Sequence, residues 1–346
     1  MSNPRVAVLM GGRSSEREVS LRSGQSVVEG LREAGHSVVP IEIDADGRWE
    51  LPPVQRRHEA SGGAAPSPSG SSSSVVQLQA DSGPLADVDV VFPVLHGPFG
   101  EDGTVQGLLE LLDIAYVGAG VAASAVAMDK SLFKDVMRAN DIPVAESVTV
   151  RAGHTPLRAS PLGVPVVVKP ARLGSSVGIS IVREAYEFQT ALAEAFAHDD
   201  KILIEEYVDG IEVECSVLGG PNPQASVLGE IVVLKGDWYD YTAKYTDGGM
   251  ELVVPARVDE RTTGRVRDIA VRAFEACDCD GMARVDFFVQ PNGGVLVSEL
   301  NTIPGFTATS VYAKLFEATG IKYPALLTRL VQLAVDRRAR RCELTF

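Results

Sequence analysis

The sequence predicts an α/β protein of two or three domains. Its 346 residues are enough to build more than one hydrophobic core. Near the start, an apolar run, a glycine turn, a helical pattern and a second apolar run form a βαβ unit, which predicts a parallel sheet. Further along, runs that alternate apolar and polar residues flank turn-forming residues, which predicts hairpins.

The bulk composition fits a soluble globular protein. Hydrophobic residues make up 45% of the chain, and the mean hydropathy is +0.08. The net charge of −14 argues against nucleic acid or an acidic membrane as the main partner. The basic run at residues 337–341 is interpreted as a solvated helix end. No apolar run has membrane-spanning length, and the first residues lack the basic segment followed by an apolar segment that is typical of a secretion signal, so we expect none.

The four cysteines predict no disulfide framework. Cys277 and Cys279 are too close for an ordinary bridge, and no pair has the spacing of zinc ligands. Cys215 and Cys342 complete the set. We therefore expect reduced cysteines and a cytoplasmic protein.

The predicted βαβ unit has strands at residues 6–10 and 36–43, joined through a glycine turn and a helix. Ser15 and Glu18 have the spacing of a capping box, which predicts that the helix begins there. The turn lacks the Gly-x-Gly-x-x-Gly fingerprint, so NAD binding is excluded, but its free helix N–H groups could bind an anion. For Glu16 and Glu18, simple capping remains the alternative.

Residues 59–74 consist almost entirely of Ser, Gly, Ala and Pro. Such a composition cannot bury enough apolar surface to order itself. We expect a flexible insertion at the edge of the first domain, with no catalytic part.

A glycine-rich loop with one histidine and two acids, residues 96–103, follows a predicted strand at residues 88–95. The loop lies at the carboxyl end of its strand, where open α/β sheets bind ligands. His96 is therefore a candidate binding residue, with a structural role as an equal alternative. An alanine-rich helix is predicted over residues 120–140.

A second glycine-rich loop, Gly-Ser-Ser-Val-Gly at residues 174–178, follows a predicted strand that ends near Lys169. Backbone N–H and hydroxyl donors of such a loop can surround a phosphate, and the lysine would add positive charge. The pattern is not that of a P-loop, because the lysine precedes the glycines. An ordinary glycine hairpin is the alternative.

Two more segments point to a nucleotide site. Glu205 and Glu212 stand on either side of a turn between two predicted strands, where they could accept hydrogen bonds from an adenine amino group and a ribose hydroxyl. A solvated sheet edge is the alternative. Residues 235–249 are aromatic and charged without a clear period, which is typical of a lid loop. A surface loop with tucked-in aromatic side chains is the alternative.

The central candidate site is a hairpin at residues 283–301, whose two β-rich runs flank an Asn-Gly pair. With a loop of two or four residues centred on that pair, Asp286 lies opposite Glu299, and Arg284 opposite Asn301. Two facing carboxylates repel each other, so a cation is expected between them. Oxygen ligands from Asp, Glu and Asn suit Mg²⁺ beside nucleotide phosphates. A solvated polar face is the alternative.

Taken together, these motifs resemble those of the D-alanine–D-alanine ligases of the ATP-grasp superfamily. The resemblance covers essentially the whole chain except residues 59–74, and the joint order of the motifs is far more specific than any one of them. The matching stretches are residues 11–20, 95–97, 100–103, 128–130, 169–178, 239–245, 284–286 and 299–305.

The resemblance implies a three-domain ATP-grasp fold with an N-terminal parallel-sheet domain. The implied domains are residues 1–126, 127–217 and 218–346, the last carrying the lid loop 235–249 and the metal site. ATP would lie between the second and third domains.

The resemblance also implies the site residues. It implies ATP binding by Lys130, Lys169, Ser175, Ser176, Glu205, Glu206, Tyr207, Val208, Glu212, Lys244, Phe288 and Glu299. It implies substrate binding by Glu16, His96, Arg284, Gly305, Ser310 and Val311. It implies catalytic roles for Glu16, Ser175, Tyr245, Arg284 and Gly305, and two Mg²⁺ or Mn²⁺ ions on Asp286, Glu299 and Asn301.

The implied reaction joins two D-alanine molecules at the expense of ATP, through an acyl phosphate, and supplies a dipeptide for peptidoglycan and the cell wall. The alternatives are a D-alanine–D-lactate ligase, another ATP-grasp carboxylate–amine ligase, and a nucleotide-binding regulator without catalysis. Tyr245 favours the dipeptide, because phenylalanine stands there in members that accept D-lactate. The implied partners are D-alanine, ATP and a second copy of the chain in a homodimer.

Overall fold

The computed structural model describes residues 3–50, 85, 87–153, 157–234 and 249–345. The predicted insertion at 59–74 and residues 235–248 of the predicted lid, with Lys244 and Tyr245, lie outside the described residues. Across the described ranges, three sheets and the helices around them build the molecule.

The N-terminal sheet is parallel, as predicted, except for one antiparallel edge strand. Its strand order is β3-β2-β1-β4-β5. Strand β1 pairs in parallel with β2 and β4, and β3 pairs antiparallel with β2. The strands are β1 (Arg5–Gly11), β2 (Ser37–Ile43), β3 (Trp49–Glu50), β4 (Val90–Pro93) and β5 (Ala115–Tyr116).

Helix α1 (Arg17–Glu33) confirms the βαβ unit, but the predicted capping box is wrong. The cap position is Glu16, whose side chain makes no capping hydrogen bond. The Glu16 carboxylate is instead an acceptor for the Ser175 hydroxyl of a distant loop. Ser15 and Glu18 therefore do not form the cap of α1, and the residue at the cap position makes a tertiary contact instead. Helix α2 (Thr104–Leu111) follows the loop that contains His96.

The single helix predicted over residues 120–140 is two helices, α3 (Val121–Met128) and α4 (Lys130–Ala139). Asp129 separates them with an extended backbone, φ −88° and ψ 96°. Its carboxylate accepts hydrogen bonds from the N–H groups of Ser131 and Leu132, each at 3.1 Å. This cap starts α4 at Lys130 and so fixes where that side chain points.

The two remaining sheets are antiparallel. The central sheet has the order β6-β9-β7-β8, and the C-terminal sheet β12-β11-β10-β13-β14. The central strands are β6 (Ser147–Arg151), β7 (Val166–Pro170), β8 (Ser180–Val182) and β9 (Lys201–Glu206). The C-terminal strands are β10 (Ile211–Gly219), β11 (Gln224–Val233), β12 (Met250–Val253), β13 (Gly281–Val289) and β14 (Val295–Asn301).

The boundary expected between residues 217 and 218 falls inside β10, which pairs with β11 and β13. A strand belongs to the sheet that satisfies its backbone hydrogen bonds, so we place this junction between Glu206 and Ile211. The division into three domains remains a proposal.

The other helices cover the sheets. They are α5 (Phe188–Phe196), α6 (Glu260–Ala276), α7 (Val311–Ala318) and α8 (Tyr323–Cys342). The apolar stripe of α8, including Leu326 and Leu330, is buried in one core with Val6, Val8 and Phe92 of the N-terminal sheet. The C-terminal helix thus closes the chain back onto its first domain. No helix among the described residues is long and apolar enough to cross a membrane.

The basic run at residues 337–341, at the end of α8, contacts the N-terminal domain. Arg337 donates to the carbonyl oxygens of Tyr116 and Gly118, and its guanidinium stacks 4.2 Å from the Tyr116 ring centroid. Arg341 pairs with Glu110. The run therefore joins α8 to the N-terminal domain, which corrects its interpretation as a merely solvated end.

Candidate functional site

The hairpin of β13 and β14 brings together the four polar residues that the sequence placed there. Arg284 pairs with Asn301, and Asp286 with Glu299, as predicted. The assumed turn is wrong, because the strands stop at Val289 and resume at Val295.

A β-bulge restores the predicted register. Phe287 pairs with Val297, whereas the preceding residue Asp286 pairs with Glu299, so Ser298 is the extra residue. The bulge turns Glu299 and Asn301 toward the face that carries Asp286. The buried residues of β14 show the same shift. Val295 and Val297 are two residues apart, but the next buried residue, Leu300, follows after three.

A dense ionic network holds Asp286. The Arg284 Nε and Nη2 atoms donate to its two carboxylate oxygens at 2.7 Å each. Asn301 Nδ2 donates to Asp286 Oδ2 at 3.0 Å. Glu214, which the sequence analysis missed, lies opposite Asp286 on β10 with its carboxylate 3.1 Å from Arg284 Nε. The signal for Glu214 was the alternation of polar residues along β10.

Lys130 lies between the hairpin and the glycine-rich loop. Its Nζ donates to the Leu173 carbonyl oxygen at 2.8 Å and lies 3.5 Å from Glu299 Oε2. In the loop, Ser175 and Ser176 both have left-handed backbones, with φ of +51° and +58°. Successive turns of this kind expose backbone N–H groups that suit an anion.

Glu205 lies in a buried cluster rather than at a solvated edge. Its carboxylate contacts the ammonium groups of both Lys169 and Lys134, and all three side chains are at most 10% exposed. Burial alone would raise the pKa of Glu205, but the two lysines outweigh burial and hold it below its ordinary value. Lys134 was missed, although it lies one helical turn after Lys130 on α4. Both Glu205 oxygens contact lysines, so the expected contact with adenine must compete with this cluster.

Glu16 joins the first domain to the glycine-rich loop. It accepts a hydrogen bond from the Ser175 hydroxyl. Two glycines make room for it, because a Cβ at Gly97 would lie 2.6 Å, and one at Gly174 3.3 Å, from Glu16 Oε2. The link expected between Glu16 and Ser175 is present, and its third member, Tyr245, lies outside the described residues.

His96 is buried and held through both ring nitrogens. Its Nδ1 lies 3.0 Å from the Ile303 carbonyl oxygen, and its Nε2 3.3 Å from Ser23 Oγ. Burial lowers the pKa of His96, against the opposing effect of Glu16. Burial, together with the negative charge of Glu16, raises the pKa of nearby Glu101 to about 8. His96 thus connects α1 to the turn after β14, in a buried setting that disfavours its charged form.

Two adjoining cavities collect the predicted site residues. The first, of about 460 Å³, lies between the central and C-terminal sheets, and every ATP-binding residue predicted within the described ranges lines it. The second, of about 410 Å³, is lined by every predicted substrate-binding residue. Both have the size of small-molecule sites. They share Lys130, Gly174, Ser175 and Glu299, so groups bound in the two cavities would meet there.

The hairpin fits a hard metal ion. Within the described ranges, no three His, Cys, Asp or Glu side chains form a metal cluster. The available set is two facing carboxylates, Asp286 and Glu299, with the amide of Asn301. Mg²⁺ commonly takes one or two carboxylates and completes its shell with phosphate oxygens and water. This donor set therefore suits a metal that arrives with a nucleotide.

Comparison with known proteins gives a consistent family. A model described as the D-ala D-ala ligase N-terminus matches residues 5–119, and one described as its C-terminus matches residues 136–332. The D-alanine–D-alanine ligase of Halothermothrix orenii is 43% identical over 349 residues, which cover 98% of this chain and 100% of that protein. The ligase of Nocardia farcinica is 45% identical over 357 residues, with 96% and 97% covered.

Solved structures agree with these relatives. The D-alanine–D-alanine ligase from Coxiella burnetii superposes with a TM-score of 0.81 at 36% identity, covering 99% of this chain and 97% of that one. The VanG D-Ala:D-Ser ligase from Enterococcus faecalis gives a TM-score of 0.79 at 34% identity, with 96% and 99% covered. The predicted α/β fold of the ATP-grasp type is confirmed.

Proposed function

The chain belongs to the D-alanine–D-alanine ligase family, and from that premise we propose that it joins two D-alanine molecules with ATP to form D-alanyl-D-alanine for the cell wall. The observation that carries the proposal is the shared boundary of the two cavities. A nucleotide in the first would present its γ-phosphate to an amino acid in the second, beside Lys130, Ser175 and Glu299.

ATP would lie across the first cavity. The segment Glu206, Tyr207 and Val208 offers backbone groups to the adenine, and Glu212 a carboxylate to the ribose. Lys130, Lys169 and the loop with Ser175 and Ser176 would bind the phosphates. Phe288 on β13 would pack against the base as part of the cavity wall. Of the residues outside the described ranges, Lys244 is proposed to contact the phosphates.

In the first chemical step, a carboxylate oxygen of the first D-alanine attacks the γ-phosphorus of ATP. The bond to the bridging oxygen breaks, ADP leaves, and an acyl phosphate forms. Glu16 would hold the ammonium group of this D-alanine, since its carboxylate lines the second cavity. Asp286, Glu299 and Asn301 would hold two Mg²⁺ or Mn²⁺ ions, which supply Lewis-acid stabilisation of the phosphoryl charge when bound.

In the second step, the amine of the other D-alanine attacks the activated carbonyl and phosphate leaves. Arg284 and the Gly305 N–H line the second cavity and would stabilise the negative oxygen of the tetrahedral intermediate. Ser310 and Val311 begin α7, whose N-terminus favours the carboxylate of the second D-alanine. A closed site would also protect the acyl phosphate from water.

Phosphate release from ATP tests the substrate assignment. We expect release that depends on D-alanine, with little release in the presence of L-alanine or D-lactate alone. A mixture of D-alanine and D-serine should yield mainly D-alanyl-D-alanine. Release that requires another amine or carboxylate would show a different ligase, and no acceptor-dependent release would leave only a nucleotide-binding protein.

Two further properties belong to the same proposal. The use of ATP and the free cysteines support a cytoplasmic location. A homodimer is proposed from the family resemblance, and sedimentation equilibrium would measure it directly. A monomer mass at all protein concentrations would contradict the dimer.

A further inference from the structure

Two serines of α1 lie one helical turn apart and face the backbone turn that follows β14. This turn, residues 303–308, carries Gly305. Ser23 is 1% exposed, and Ser26 is half-buried. Residues three apart on a helix share a face, so one face of α1 presents both hydroxyls to the turn.

Ser23 forms the first of two hydrogen-bond relays. The Phe306 N–H donates to Ser23 Oγ at 3.3 Å, and His96 Nε2 lies 3.3 Å from the same oxygen. His96 Nδ1 lies 3.0 Å from the Ile303 carbonyl oxygen. With the proton on Nδ1, Ser23 donates to Nε2 and the imidazole donates to Ile303. The relay therefore begins and ends on the turn.

Ser26 forms the second relay. The Ala308 N–H donates to Ser26 Oγ at 3.2 Å, and Ser26 lies 3.2 Å from the Tyr323 hydroxyl. Tyr323 donates to the Phe306 carbonyl oxygen at 2.7 Å. This relay also starts and ends on the turn, and it adds α8 to the elements that hold it.

Gly305 lies between the two relays, and its N–H makes no hydrogen bond to another described residue. Among the hydrogen bonds of the described residues, none has the Gly305 N–H as donor, while Ile303 and Phe306 on either side are both engaged. Gly305 lines the second cavity. A Cβ there would lie 3.4 Å from Ser310 Oγ, so the backbone runs close beside α7.

We propose that Ser23 and Ser26 are positioning residues that fix the Gly305 N–H for the amide-forming step. The proposal rests on the proposed function. An oxyanion donor must lie about 2.7–3.1 Å from the oxygen it stabilises, and a displacement of about 1 Å can cost about 10²-fold in rate. Neither serine lines the cavities, so both act through the turn.

Alanine substitutions test this, with Ser124→Ala as the matched control. Ser124 is a fully buried serine of α3, and no hydrogen bond of its hydroxyl is present among the described residues. We expect Ser23→Ala to lower kcat about tenfold, and the double variant S23A/S26A further, with the KM for ATP near that of the wild type. Ser124→Ala should leave kcat unchanged.

Rapid-quench single turnovers separate the two chemical steps. In Ser23→Ala, ADP should form at the wild-type rate and the dipeptide about tenfold more slowly, because only the second step uses the Gly305 N–H. Equal slowing of both steps, no slowing, or the same slowing in Ser124→Ala would overturn the proposal.

Hydrogen–deuterium exchange gives a readout that needs no catalysis. The backbone amides of Phe306 and Ala308 should exchange faster in S23A/S26A than in the wild type or Ser124→Ala. Unchanged exchange would overturn the positioning role even in an active ligase. If the wild type forms no dipeptide but the exchange rates differ between the proteins as expected, the proposed function is refuted. The conclusion that Ser23 and Ser26 position the turn would still stand.

Discussion

Glu299 lies on the boundary of both cavities, beside Lys130. We expect Glu299→Gln to keep the fold and to lower the ligation rate by about 10²-fold, because the substitution removes a negative charge where a metal ion and the phosphoryl group would meet. Steady-state kinetics over a range of Mg²⁺ concentrations measure the effect.

The control for Glu299 is Glu317→Gln, which neutralises an exposed carboxylate of α7 outside both cavities. That variant should retain the wild-type rate. Full activity of Glu299→Gln at saturating Mg²⁺ would remove Glu299 from the proposed metal ligands.

Glu101 makes the stability of the ligand-free protein depend on pH. Its pKa is raised from the ordinary 4.5 to about 8, so the folded state keeps a proton that the unfolded state loses above pH 4.5. The contribution of this proton is complete below pH 4.5 and is lost as the pH rises through about 8. Glu101→Gln should therefore unfold at higher temperature than the wild type at pH 8.5, with a smaller difference at pH 5.

Thermal melts of the metal-free and nucleotide-free protein measure that difference, and Glu317→Gln serves again as the control. The glutamine can still accept the hydrogen bond that Gly97 N–H donates to Glu101 at 2.8 Å. A difference that is constant over pH, or that grows toward acid, would contradict the raised pKa.

At the scale of elements, the cluster of Lys134, Glu205 and Lys169 joins α4 to β9 and β7. Lys134→Met would leave one buried carboxylate, that of Glu205, paired with one ammonium group, that of Lys169. Glu205→Gln would leave two buried ammonium groups without a counterion. Breaking a buried pair by removing one partner costs about 3–5 kcal/mol. We therefore expect Glu205→Gln to lose about that much unfolding free energy and Lys134→Met clearly less.

Urea unfolding of both variants, followed in the absence of nucleotide, measures the order of their stabilities. Burial lowers the pKa of Lys134, which is a reason for its ammonium to be the more dispensable charge. The reverse order would show that Lys134 rather than Glu205 holds the cluster together.

The elements show where sequence patterns suffice. In the hairpin, alternation predicted which side chains of each strand share a face, whereas the pairing of Asp286 with Glu299 was predicted correctly only because the bulge offsets the wrongly assumed turn. The bulge could not be predicted, because the only sign of the extra residue in the sequence is the three-residue spacing between the apolar residues Val297 and Leu300. The capping box of Ser15 and Glu18 failed because α1 begins one residue later than predicted, with Glu16 at the cap position, and the Glu16 carboxylate bonds Ser175, far away in the chain. Local spacing carries no information about such partners.

At the scale of the whole molecule, α8 fastens the last part of the chain to the first. Arg337 donates to two carbonyl oxygens of the N-terminal domain and covers the Tyr116 ring. Arg337→Ala should cost about 1–3 kcal/mol, because it leaves those acceptors unpaired. Arg329→Ala, an exposed position on the same helix, is the matched control for thermal melts. Equal melting temperatures of the two variants would contradict the fastening role.

The arrangement of the cavities also belongs to the whole molecule. Motifs predicted a nucleotide site, the family resemblance implied the residues of a substrate site, and the described residues of the two sets line two adjoining cavities. Their common boundary could not be derived from spacing, because Lys130, Gly174 and Glu299 come from three separate parts of the chain. They meet because the first cavity lies between the central and C-terminal sheets, and Lys130 at the start of α4 lies 3.5 Å from Glu299 across it.

The transfer of oxygen from D-alanine to phosphate tests the proposed reaction most directly. The protein is incubated with ATP, Mg²⁺ and D-alanine labelled with ¹⁸O in its carboxylate, and mass spectrometry follows the phosphate and the peptide. We predict D-alanyl-D-alanine and phosphate in equal amounts, with one ¹⁸O atom in each phosphate, because an acyl phosphate passes a carboxylate oxygen to the leaving group. Unlabelled phosphate, or phosphate without the dipeptide, would contradict ligation through that intermediate.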